Sequence, residues 1–256
     1  MMTIGILDSG LGGYSVYDAL RVAYPKSSFL FLADQLHAPY GDKSKEEIFG
    51  YVKDALKWFK TQQITEILVA CNTICSLVLE DIIPHFPELT ISGIIDPTIA
   101  QLNGCSYKNV LVVATQGTIH SQVYTTKLKR LKPELQVIGK ALPQLVVQLE
   151  RLAPLSETEV YLEETLSEYK NKVDAVILGC THYPLVKPIF ERLFNVPVYD
   201  SREPIVALFS NRKLSSGPCK IFTTKDPAYL AYKIKVLFDS EENVELAQVT
   251  HADRCC

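Results

Sequence analysis

Two cysteines of this chain sit in matching surroundings, and a pair of thiols can carry a proton off one face of a carbon and return one to the other. Cys71 closes the apolar run of ILVACNT, and Cys180 closes that of VILGCTH. A thiol, with a reference pKa of about 8.5, serves as acid or base near neutral pH after a modest shift. At a strand end that leads into a helix, the helix dipole favours the thiolate. Racemising an amino acid is chemistry of this kind, with the two groups exchanging roles in the reverse direction. Asp8 and His182 are candidates to take and hold each thiol's proton. Asn72, Thr73 and Thr181 offer amide and hydroxyl groups that grip carboxylates without adding a competing charge.

Two other chemistries are argued against by spacing. The glycines at 10, 12 and 13 resemble a dinucleotide loop, but the third glycine of that pattern would fall at Ser15, and no phosphate-binding lysine follows. Their expected job is a tight turn at a cleft. Cys71, Cys180 and His182 lack the CxxC and HxxH spacings of metal sites, so no metal is expected. Cys75, four residues after Cys71, is expected in the core.

Alternating strands and helices must position these groups. Thr3–Leu7 reads as a strand, DSGLGG leads into a helix from Tyr14, and Pro25 stops it. Residues 28–33 form the next strand. Ser44-x-x-Glu47 is a capping box, and Ile48, Val52, Ala55, Leu56 and Phe59 mark one buried helix face behind it. Residues 64–70 are then a strand that ends on Cys71. The second half follows the same plan: a strand over 110–114, TQGT as a turn, a helix to Pro133, and a strand over 135–138. Ser156-x-x-Glu159 reads as a second capping box, and residues 173–179 as a strand ending on Cys180. Near-continuous apolar strands alternating with helices mean parallel α/β sheets.

The halves are in register. Asp8 and Thr115 lie 107 residues apart, Pro25 and Pro133 108, Ser44 and Ser156 112, and Cys71 and Cys180 109. Four such matches imply two similar α/β domains related by a pseudo-two-fold, with mainly parallel sheets. Ligands of open α/β sheets bind at the carboxyl ends of the strands, so the cleft between the domains would carry one thiol on each wall. After Pro204 the pattern changes. NRKLSSGP is a turn-rich linker, 219–222 a strand and 227–238 an amphipathic helix, and the tail to Cys256 reads as irregular. This segment is expected to complete the first domain, giving 1–96 with 208–256 against 97–207.

The bulk properties exclude several classes. The chain has 256 residues, 47% apolar and 21% charged, with net charge −3, which suits one large or two small globular domains. With no long block of either sign, nucleic acid is not an expected partner. No apolar run approaches the ~20 residues of a membrane span. MMTIGILDSG lacks the basic region and cleavage pattern of an export signal. Seven scattered cysteines suit a reducing cytoplasm, and the terminal Cys255-Cys256 resembles a prenylation end only superficially.

GILDSGLGG, APYGDKS, VACNT, GIIDP, ATQGTI and LGCTHYPL occur in this order, and together they resemble the glutamate racemase signature from Ile4 to about Asp200, with a weaker echo in FTTKDP. The resemblance implies a cofactor-independent racemase in which Cys71 and Cys180 are the acid/base catalysts, Asp8 assisting the first and His182 the second. Glu150 sits where the family carries another acidic residue near the site. Substrate glutamate would be held by Asp8 and Ser9, by the loop Pro39-Tyr40-Gly41, and by Asn72 with Thr73. Thr115 and Thr118, and Thr181 with His182, would complete the grip. The resemblance further implies supply of D-glutamate to bacterial peptidoglycan, and it leaves a homodimer open. An aspartate or broad-specificity racemase is the alternative, disfavoured by the CTH string and the DSG opening. The chain departs from the family's pattern at Leu142-Pro143, at Ile74 and Cys75 after CNT, and at Arg202.

Overall fold

The computed structural model describes residues 3–249. Ten strands form among them: β1 Ile4–Asp8, β2 Phe29–Ala33, β3 Glu66–Val69, β4 Thr90–Gly93, β5 Asn109–Ala114, β6 Gln136–Ala141, β7 Ala175–Gly179, β8 Val198–Tyr199, β9 Lys220–Thr223 and β10 Val244–Leu246. They build two sheets, of order β10-β9-β2-β1-β3-β4 and β6-β5-β7-β8. Every ladder within them is parallel. The order β2-β1-β3-β4 in the first sheet is the order β6-β5-β7-β8 of the second, so the repeat in the sequence is a repeat in topology. The registers Asp8↔Ala33 and Ala114↔Ala141 bring the carboxyl ends of paired strands level.

Parallel strands are covered on both faces, which is why FLFLA and AVILG are buried at every position. Alternation then sorts side chains between layers. Val110 and Val112 of β5, with Ala175 and Ile177 of β7, join the large apolar cluster that fills the first sheet's side of the molecule. Leu111 and Val113, with Val176 and Leu178, face a second cluster with Leu142, Leu162 and Phe190. One face of the second sheet thus belongs to a core shared with the first. Burying each such Leu, Ile or Phe contributes about 1.5–3 kcal/mol, so the two sheets are held together mainly by apolar area.

Local signals fix several helix ends. Ser44 and Glu47 form the expected capping box at the start of helix Lys45–Thr61, and the five apolar positions behind it are buried. The helix over residues 227–238 forms as expected, capped by Asp226.

Three sequence expectations are corrected. TQGT is not a turn: Thr115 accepts from the Thr118 amide and caps a short helix, Gln116–His120. The chain then breaks at Gln122, in the left-handed region at φ 58°, before helix Val123–Leu131. Ser156 caps nothing, because Pro154 starts its helix at Leu155, so Ser156 already lies within the first turn. The tail is not wholly irregular, since β10 adds to β9 with Val244↔Ile221 and Leu246↔Thr223 in register. Cys255-Cys256 lies outside the described residues.

Candidate active site

The carboxyl ends of β1, β3, β5 and β7 open onto one cavity of about 420 Å³. Asp8 is the last residue of β1. Cys71 follows β3 and immediately precedes helix Asn72–Leu77, and the Ala70 amide on the Leu7 carbonyl (2.7 Å) keeps it level with Asp8. Cys180 directly follows β7. Both cysteines line the cavity, one from each sheet, and both are buried. Ser9, Pro39, Tyr40, Gly41, Asn72 and Thr73 line it from the first sheet's side. Thr115, Glu150, Thr181 and His182 line it from the second's. Two expected substrate contacts stand behind the wall instead. Asp8 sits beneath the Gly13 amide, which donates to its Oδ2 at 2.5 Å. Thr118 is buried behind Thr115, whose hydroxyl donates to it at 3.0 Å.

Each thiol lies beside an ionisable side chain. On the Cys71 side, Ser9 Oγ lies 3.5 Å from the sulfur. Burial pushes the Asp8 carboxyl up, and the charge of His182 and the Cys71 thiol only partly offset this. Burial, and then the negative field of Asp8, push the Cys71 thiol well up. The helix N-terminus favours a thiolate here, but burial beside Asp8 outweighs it and favours the thiol, next to a carboxyl made more basic.

On the other wall, Cys180 Sγ is 3.9 Å from His182 Nδ1, and His182 Nε2 is 2.8 Å from Glu150 Oε1. The second Glu150 oxygen accepts from Lys233 Nζ. Burial works against charge on His182, yet contact with Cys180 and Glu150 raises it to about 10. Burial likewise opposes the Glu150 carboxylate, but His182 and Lys233 bring it down to about 2. The pair is therefore an imidazolium facing a carboxylate through the whole neutral range.

Polar bonds cross between the two sheets' residues at the cavity floor. Thr73 Oγ1 and Thr115 Oγ1 are 3.0 Å apart, Tyr124 donates to Asn72 Oδ1 at 2.6 Å, and Ser15 donates to the Thr181 carbonyl at 2.9 Å. With Oδ1 taken, Asn72 Nδ2 is a buried donor without a partner among the described residues, fit to receive a carboxylate. The glycine turn acts through close approach: a Cβ on Gly12 would overlap His182 Nδ1 and Thr181 Oγ1, and one on Gly13 would overlap Asp8. No group of His, Cys, Asp and Glu placed to hold a metal ion occurs among the described residues.

Sequence reasoning missed Lys233, Tyr124 and Ser15. Lys233 left one trace, a lysine beside Leu230 and Ile234 on the buried stripe of its helix.

Two sheets of one strand order, with a cysteine from each at a shared cavity, define an α/β enzyme built around a cleft. The family model for Asp/Glu/Hydantoin racemase matches residues 15–208. The glutamate racemase of Aquifex aeolicus (strain VF5) is 36% identical over 247 residues, 94% of this chain and 95% of the relative. The solved glutamate racemase of Aquifex pyrophilus is 32% identical and superposes with a TM-score of 0.82 over 97% of this chain and 99% of that one. A glutamate racemase isoform from Bacillus anthracis, 26% identical, superposes at 0.87 over 97% and 98%. The chain belongs to the Asp/Glu/Hydantoin racemase family. It is an isomerase.

The glycine turn supplies a first test. Gly12→Ala should lower kcat by roughly tenfold to a hundredfold, because displacing His182 and Thr181 by a fraction of an ångström disturbs reacting geometry. Gly10→Ala, whose Cβ meets only Ala38 Cβ and Glu150 Oε1 at 3.8 Å, should lose far less. Equal turnover of the two variants in a racemisation assay would contradict the close-approach role.

Proposed function

We propose that this chain interconverts L- and D-glutamate without a cofactor, moving the α-proton between Cys71 and Cys180. The observation that carries the reading is the pair of buried thiols lining one cavity from opposite sheets, each beside its own ionisable partner. In the L-to-D direction Cys180 removes the α-proton as a thiolate whose own proton His182 already holds, while Glu150 holds the imidazolium. The Cys71 thiol gives its proton to the opposite face, and exchange with solvent then returns a proton to Cys71 and removes one from Cys180 before the next turnover. In the D-to-L direction Cys71 is the base and Asp8 receives its proton. A carboxyl already lifted by burial suits that exchange, because a general base works best when its pKa is brought toward the operating pH.

Substrate carboxylates fit the uncharged donors Ser9, Asn72 and Thr73 on one side, and Thr115 and Thr181 on the other. Donors of this type hold the charge that develops as the α-carbon loses its proton. Asp8 and Thr118 act from behind, through Cys71 and Thr115. The division into 1–96 with 208–256 and 97–207 follows from this reading, with the site at the junction. Among the described residues no helix is long and apolar enough to cross a membrane. A cytoplasmic enzyme supplying D-glutamate for peptidoglycan completes the proposal, and a homodimer is compatible with it.

The test is optical. After exhaustive dialysis against chelator, L-glutamate and D-glutamate should each lose rotation to the same end point, faster than either aspartate enantiomer. Activity that returns only on adding pyridoxal phosphate, a nucleotide or a metal would refute the mechanism. Faster turnover of aspartate would move the assignment to the aspartate-type branch.

A further inference from the structure

Lys233 is a lysine buried against a carboxylate that comes from the other sheet's side. It lies on helix Pro227–Phe238, which follows β9 of the first sheet, and about 4% of the residue is exposed. Its Nζ donates to Glu150 Oε2 and stands 4.5 Å from the ring centroid of Tyr229, a cation–π distance. Glu150 ends helix Pro143–Glu150, which follows β6 of the second sheet. The other oxygen of that carboxylate faces His182, whose second nitrogen faces Cys180. Four side chains thus form one line from the first sheet's side, across the junction, to a thiol on the far wall.

We infer that Lys233 is a positioning residue for the Cys180 half of the reaction, holding Glu150 so that His182 is presented to the thiol. A carboxylate with 27% of its side chain exposed has water as a competing partner. Fixing one oxygen on a buried ammonium leaves the other nowhere to turn but toward the imidazole. The Cys71 wall has no counterpart, since Asp8 is held by the Gly13 amide. The effect of losing Lys233 should therefore be one-sided. The groups facing this line are Cys180 and Asp8 around His182, His182 and Lys233 around Glu150, and Glu150 and Tyr229 around Lys233. The cations facing Glu150 among these groups are Lys233 on one oxygen and the His182 imidazolium on the other. The inference rests on the two-thiol reading, and it adds a residue on the opposite side of the junction from the thiol that it serves.

The experiment compares Lys233→Met and Lys233→Arg with the unaltered enzyme, reading kcat together with the rate at which iodoacetamide labels each cysteine, resolved by peptide mass. Lys233→Met should lower kcat roughly tenfold to a hundredfold and slow labelling of Cys180 at least about fivefold, with Cys71 labelling held within about twofold. Lys233→Arg should recover most of both. Should the Met variant fail to fold, Glu150→Gln is read in the same way. Unchanged kcat and Cys180 labelling would overturn the inference. So would parallel slowing at both cysteines, the mark of a merely structural lysine. A Cys180→Ser enzyme that still racemises would instead defeat the two-thiol reading, and the labelling comparison keeps the two failures apart.

Discussion

Serine at position 71 or at position 180 should end net racemisation, with a loss beyond roughly 10³-fold, while the protein stays folded. A hydroxyl fills nearly the same space as the thiol but is a far weaker acid, so proton transfer fails where packing does not. Both thiols are needed because a proton removed on one face has to be replaced on the other. Each remaining thiol still reaches its own face. In heavy water, Cys71→Ser should therefore wash deuterium into L-glutamate alone, through Cys180. Cys180→Ser should wash it into D-glutamate alone, through Cys71. A folded single variant that racemises near the unaltered rate would refute the mechanism, because one base would then be serving both faces.

The second large effect belongs to the proton partners. Asp8→Asn and His182→Asn should each cost roughly 10²–10⁴ in kcat, the usual size of general acid–base assistance. Enantiomers have equal free energy, so kcat/KM must remain equal in the two directions for any variant. The asymmetry appears in kcat and KM taken separately. Asp8→Asn should depress the D-to-L kcat more, and His182→Asn the L-to-D kcat more. The pH profile provides a sign. Burial raises the Asp8 carboxyl above its ordinary value, and it must be ionised to accept a proton. Activity should thus fall on the acid side at a pH above the usual carboxylate range, and Asp8→Asn should erase that limb. An acid limb unchanged in Asp8→Asn would assign it to another group.

Much of the scaffold was legible because parallel strands announce themselves. The apolar runs ending at Asp8, Cys71 and Cys180 are buried on both faces, so burial leaves a continuous signal. Ser44-x-x-Glu47 was readable because a capping box is local. Ser156-x-x-Glu159 has the same letters and failed, since Pro154 had already begun the helix. β8 and β10 escaped notice because two or three residues carry no period, and their existence depends on a neighbour far away in sequence. The site divides in the same manner. Cys71 and Cys180 stand at strand ends that a sequence can mark. That Thr118 backs Thr115 rather than lining the cavity, and that Lys233 meets Glu150, depends on how two distant helices face each other.

The first sheet is not built from contiguous chain. β9 pairs with β2, and β10 with β9, although some 190 residues separate β2 from β9. During synthesis both cysteines and the whole second sheet emerge from the ribosome while one edge of the first sheet still lacks its partner strand. Until residues 220–246 follow, the nascent chain exposes β2 as an open edge and Glu150 without Lys233. Closure of the first sheet and the Glu150–Lys233 contact therefore both wait on the same C-terminal segment. Proteolysis or truncation between β8 and β9 should leave a chain that holds both thiols, yet neither closes the first sheet nor completes the site.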